Sequence, residues 1–172
     1  FESASFFLPA ESGVPCGNGA SGSAIIRSTA ANIVAVVTSA RDASSGGTGS
    51  QTPAINETSS SITTDVAVPL VFGKNNSSWE SGVGVYAVEA GTVTATFVKA
   101  GTDPSVAGNS YTYTSSALSA GSITNFYVPG LSGFDQSLTG AVYLSSTGKI
   151  IALVTYDMGS ALGSMPGQNY VK

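Results

Sequence analysis

Apolar residues recur at every second position through most of this chain, and that period suits strands with one buried face. Val83, Val85 and Ala87 alternate with Gly84 and Tyr86. Val93, Ala95 and Phe97 alternate with Thr92, Thr94 and Thr96, and Tyr111 and Tyr113 alternate with Thr112 and Thr114. No i, i+3, i+4, i+7 apolar stripe develops anywhere, so an all-β fold is expected. Gly and Pro return at intervals of about ten residues, a spacing that fits a sandwich. The pattern predicts strands over 3–8, 22–28, 33–39, 66–72, 82–88, 92–99, 110–115, 122–128, 139–145 and 149–156.

Part of this pattern occurs twice. Phe6-Phe7-Leu8-Pro9 parallels Phe126-Tyr127-Val128-Pro129. Gly22-Ser23-Ala24-Ile25-Ile26-Arg27-Ser28-Thr29 parallels Gly140-Ala141-Val142-Tyr143-Leu144-Ser145-Ser146-Thr147, and Ile33-Val34-Ala35-Val36-Val37-Thr38 parallels Ile150-Ile151-Ala152-Leu153-Val154-Thr155. The blocks keep their order at offsets of 120, 118 and 117 residues. A three-strand module at 3–39 therefore repeats the module at 122–156. Only the later copy is preceded by four further strands. The expected organisation is a three-strand half unit over 1–40, a Ser/Thr/Gly-rich linker over 41–64 and a complete seven-strand unit over 65–158. A tail, or the start of a next unit, follows over 159–172, where Tyr170-Val171-Lys172 reads as the beginning of a strand.

Three strands alone leave an apolar face and sheet edges uncovered. Burying one such side chain is worth about 1.5–3 kcal/mol, so something is expected to cover Phe6, Phe7, Leu8, Ile25, Val34 and Val36. Upstream residues of a longer chain, strands lent by an identical neighbour, or the chain's own complete unit would each serve. The second route is strand addition in trans, and without ring closure it propagates.

The 172 residues suffice for one or two small domains. Only 9% are charged, and Ser and Thr make up about a quarter of the chain. Such hydroxyl-rich, charge-poor sequences are associated with extracellular proteins. The net charge is −4 and the six basic residues are scattered, so nucleic acid and anionic membrane surfaces are not expected partners. No apolar run reaches the roughly 20 residues of a membrane span. The chain opens at Phe1, which reads as a leader already removed or as a segment of a longer polypeptide. The single cysteine, Cys16, forms no internal disulfide and sits in a Gly-rich turn, as a spare thiol or a crosslink to another chain.

There is no histidine, which excludes Ser-His-Asp and Cys-His catalysis and His-bearing metal sites. The acids fall mostly in turns and at strand ends, so neither a glycosidase pair nor any other catalytic residue is expected, and no cofactor is expected. Asp103, Asp135 and Asp157 are candidates for calcium, but they read better as turn acids. Lys99 and Lys149 read as exposed, which argues against a Lys–Asn isopeptide bond. Glycosylation sequons place candidate sugars on Asn56, Asn75 and Asn76, and Ser59-Ser60-Ser61 suits O-linked sugars. Trp79 reads as a rim aromatic sealing one end of the core, with sugar stacking or a subunit contact as its functional alternative. Tyr111 and Tyr113 suit a core face or an interface stripe equally.

The run from Val68-Pro69-Leu70 through Asn75-Asn76 and Trp79 to the strand at Val83 resembles the start of a tandem repeat found in secreted and surface proteins of environmental bacteria. Gly91-Thr92-Val93-Thr94-Ala95-Thr96-Phe97, the strand from Gly121 to Tyr127, and the closing pair at 139–142 and 150–154 continue the likeness over 66–156. The resemblance implies an immunoglobulin-like antiparallel β-sandwich with a structural or adhesive role and no catalytic residues.

These readings converge on an expectation for function. The chain would be a structural subunit of an extracellular filament, sheath or surface layer, joined head to tail to copies of itself by strand complementation. The alternative is a carbohydrate-binding or adhesive module in a surface stalk, with glycans as partners.

Overall fold

The structure, a computed structural model, describes residues 24–29, 32–40, 49–56, 59, 62–74, 79–157 and 162–169. Among them the regular structure is antiparallel β, apart from one 3₁₀ turn at Val128–Gly130. The strands are β1 (Val36–Ala40), β2 (Gly49–Pro53), β3 (Thr63–Phe72), β4 (Glu80–Ala87), β5 (Val93–Lys99), β6 (Ser110–Thr114), β7 (Ile123–Tyr127), β8 (Thr139–Asp157), β9 (Leu162–Pro166) and β10 (Gln168–Asn169). β3 to β10 form one curled sheet, a half-barrel, and β1 and β2 pair separately.

β8 organises the sheet. Along one edge it pairs first with β5, through Val142–Phe97 and Leu144–Ala95, and then with β4, through Ala152–Val85 and Val154–Val83. On the other edge it pairs with β3 and then with β9. The sequence predicts two strands here, 139–145 and 149–156, because Ser145-Ser146-Thr147-Gly148 reads as a turn. The structure instead has one strand of 19 residues. Its even-numbered residues face inward on both sides of the bend: Val142 and Leu144 before it, Ile150, Ala152 and Val154 after it. The strand thus bends without resetting its alternation.

Two glycines make the bend. A methyl group on Gly148 would sit 2.6 Å from the Ala90 carbonyl, and one on Gly91 would sit 2.6 Å from the Thr147 hydroxyl. Between Thr63–Ile150 and Asp65–Ser145 β8 advances five residues while β3 advances two, so the bend is an enlarged bulge on β8. A second slip lies between Val68 and Val71 on β3. Pro69, which has no N–H to give a ladder, occupies it, and the inward residues change from Val66 and Val68 to Val71.

The curled faces share one core. Phe97, Leu138, Leu144, Ile150 and several valines are fully buried in it. The segment after β7 closes one end by inserting Phe134 against Phe97, edge to face at 5.4 Å, and against Tyr111 at 5.1 Å. β9 and β10 fall in the segment read as a tail, and they continue the same sheet. Gly167 turns between them, donating its N–H to Ala152 O at 2.9 Å, and a side chain there would collide with Val66. The curled antiparallel sheet contains every strand expected for the complete unit, with its last two fused into β8.

Candidate assembly surface

The arm preceding the sheet is built differently. Residues 24–28, within the predicted strand 22–28, are not strand and are exposed. The predicted strand 33–39 forms only from Val36, as β1, and pairs with β2. β2 lies inside the segment read as a linker, and Ala54 extends the pairing by donating to Ala35 O at 3.0 Å. The same sequence pattern gives β8 in its later copy. There β3, β4, β5 and β9 flank the strand and satisfy its backbone, whereas among the described residues β1 has only β2 as a ladder partner. The ribbon meets the half-barrel where β2 lies against β9.

The large apolar side chains described in the arm face solvent. Val34 is 96% exposed and Val36 57%, and Ile25, Ile26, Ile33 and Val37 are each about half exposed. Ile25, Val34 and Val36 therefore share an exposed apolar arm, while Phe6, Phe7, Leu8 and Cys16 lie outside the described residues. None of the arm's described apolar residues belongs to the buried core cluster of the half-barrel. Arg27 and Ser28 do make polar contacts, so the arm's exposure is a statement about its apolar groups.

The half-barrel has open edges. β6 pairs only with β5 and β7 only with β4 among the described strands. β7 presents Ile123, 39% exposed, and Tyr127, 50% exposed, on its outer side. These edge residues carried no clear sequence signal, because Ile123-Thr124-Asn125 reads as an ordinary half-buried strand.

The remaining candidates settle into structural places. Trp79 stacks at 5.9 Å on Phe72, which meets Tyr156 edge to face at 5.8 Å, and the three close one end of the core. Tyr156 donates to Leu70 O at 2.8 Å, and burial pushes its phenol up to about 12. Tyr111 and Tyr113 pack against the core, and the Tyr113 phenol donates to Ser132 O at 2.9 Å.

Asp103 and Asp135 are twin turn acids. Each accepts the N–H at 2.9 Å and the hydroxyl at 2.7 Å of the Ser two residues on. Ser105 and Ser137 thereby hold the two carboxyls below the usual range, with Lys99 adding to the effect at Asp135. Asp157 lies on β8, opposite Glu80. Among the described residues no three His, Cys, Asp or Glu side chains gather as a metal site. No helix among them is long and apolar enough to cross a membrane. Lys99 pairs with Asp135 at 3.4 Å and Lys149 with Glu89 at 3.3 Å, both at the surface. Asn56 is exposed, and Asn75 and Asn76 lie outside the described residues. Comparison with protein-family models, curated proteins and solved structures found no match to this chain.

Proposed function

We propose that this chain is a structural subunit of an extracellular assembly, a filament, sheath or surface layer, in which the arm of each copy adds to the sheet of the next. The observation that carries this reading is the exposed apolar run from Ile33 to Val37, beside a core that closes without it. An extended apolar segment gains most by pairing along a free sheet edge, where main-chain hydrogen bonds give affinity and alternate side chains find cover. β7 offers such an edge with Ile123 and Tyr127 beside it. Arm and edge are different surfaces, so the contact is heterologous and repeats from copy to copy. The repeat within the sequence supports the same view, since the arm carries the pattern of a strand that elsewhere in this chain is flanked on both edges. An immunoglobulin-like sandwich and a non-catalytic role complete the proposal.

The test is assembly of the purified full chain against concentration, followed by light scattering and negative-stain microscopy. Fibres or sheets are expected for the native chain, and single particles for Val34→Asp/Val36→Asp. Both positions are exposed, so the double variant should keep the melting temperature of the half-barrel. Assembly that survives the double substitution would sink the proposal.

A further inference from the structure

The β1–β2 ribbon has a counterpart inside the half-barrel. Val36 stands opposite Pro53 in the ribbon, and Leu153 stands opposite Pro166 in β8–β9. Both pairings run on without a slip, from there to Ala40–Gly49 and to Asp157–Leu162. The same backbone bond extends each by one pair: the Ala54 N–H donates to Ala35 O at 3.0 Å, and the Gly167 N–H to Ala152 O at 2.9 Å. Val36 and Leu153 are 117 residues apart, the offset of the last sequence block, so the repeat continues through Pro53 and Pro166. The two copies differ on their other edge. In an antiparallel ladder successive residues turn their N–H and C=O to opposite sides. Ala152 bonds toward the β9 side, so Leu153 and Thr155 turn toward β4, where they face Gly84 and Gly82. Ala35 likewise bonds toward β2, so Val36 and Thr38 turn their backbone groups away from it. Among the described residues no strand pairs with β1 on that side.

We infer that this edge of β1 is a seat for a strand of β4's pattern, running antiparallel to β1 and carried by another repeat unit. The later copy shows what such an edge takes. There β4 lays Val83 and Val85 beside Val154 and Ala152 on the buried face, and sets Gly82 and Gly84 opposite Thr155 and Leu153 on the outer one. The equivalent places on β1 are Val37 and Ala35 on one face, and Thr38 and Val36 on the other. The residue types agree: Ala35, Val36 and Val37 stand for Ala152, Leu153 and Val154, and both copies then have threonine. Thr155 donates its hydroxyl to Gly82 O at 3.3 Å, and the repeat places Thr38 to do the same for an incoming carbonyl. Main-chain bonds along the edge would supply affinity, and the valines of the incoming strand would cover Ala35 and Val37. The chain's own β4 is held between β7 and β8, so the occupant belongs to another unit. The seat does not rest on the proposed assembly, but its consequence does. One edge of β1 cannot pair with a neighbour's β7 and with such a strand together, so a filled seat caps the arm.

The test adds a peptide of residues 80–88 to the dilute full chain, with a scrambled peptide of the same composition as control. Calorimetry reads affinity, and amide signals read location. Saturable binding that shifts Val36 and Thr38 is expected from the native peptide alone. Val36→Pro removes an N–H from the seat and none from the β1–β2 ladder, and proline is tolerated where its missing N–H faces out from an edge. It should weaken binding about tenfold or more, while Val36→Ala keeps the N–H and should bind within about threefold of the native chain. Retained Val37–Thr52 cross-strand signals check that the ribbon persists in both variants. Absence of binding at millimolar peptide overturns the inference. So do equal binding of the scrambled peptide, undiminished binding to Val36→Pro, and shifts confined to Ala152 and Val154, which would mean that the peptide displaces β4. Fibre growth is read separately. A peptide that binds β1 and leaves growth unchanged supports the seat and counts against the arm-to-β7 contact.

Discussion

At the scale of single residues, burial and polar partners decide what each aromatic does. Trp79, Tyr111 and Tyr113 were ambiguous in the sequence because an aromatic on a strand serves a core face and an interface equally well. The structure separates them by what they touch: Phe72 for Trp79, Phe97 and Phe134 for the tyrosines. Tyr156 has a measurable consequence. Its phenol is buried and its folded pKa is raised from 10 to about 12. The unfolded chain therefore releases this proton first, and stability due to Tyr156 is intact below pH 10 and is lost as pH rises toward about 12. Urea midpoints of the native chain and of Tyr156→Phe, measured from pH 8 to 12, should converge as pH rises. The native chain should lead below pH 10, since the variant leaves the Leu70 carbonyl without its hydroxyl donor at a cost of about 1 kcal/mol. A constant gap across that range would show that the phenol does not titrate differently in the two states.

At the scale of elements, the sequence is readable where side chains decide and silent where backbone decides. Strands expected at 66–72, 82–88, 92–99, 110–115 and 122–128 appear as β3 to β7 with ends moved by a few residues, because alternating burial writes itself into residue type. β2, β9 and β10 left no such trace. Gly49-Ser50-Gln51-Thr52-Pro53 and Gln168-Asn169 become strand through main-chain pairing to β1 and β3, which needs no apolar alternation. The sequence pattern splits β8 at 145–149, yet Gly148 serves a bend around Ala90. The same distinction predicts hydrogen exchange. Amides of β8 at 142–144 and 153–155 are flanked on both edges and should exchange only through global opening. Those of β1 have a ladder partner on one edge alone among the described residues and should exchange faster in the unassembled chain. Equal protection in β1 and β8 would mean that the arm is held by the half-barrel.

At the scale of the whole molecule, an arm and an edge on different surfaces would give the proposed polymer a direction, and direction can be tested by mixing. A copy carrying Val34→Asp/Val36→Asp has lost a competent arm but keeps its half-barrel, because neither side chain belongs to the core. Under the proposal it still accepts the arm of a neighbour and cannot donate its own. Added in small proportion to native chain, it should therefore bind one kind of growing end and stop it. Mean length should fall steeply with its fraction, because each variant molecule ends a whole filament. A symmetric contact would behave otherwise. If the same patch met itself across a two-fold axis, assembly would close at the dimer and no filament would exist to shorten. If filaments grew through some other surface, the variant would co-assemble and length would stay unchanged. Length distributions from microscopy at a fixed native concentration, with rising variant fraction, separate these three behaviours. The proposed contact would be made by the exposed Ile33, Val34, Val36 and Val37, so the shortening should persist in high salt.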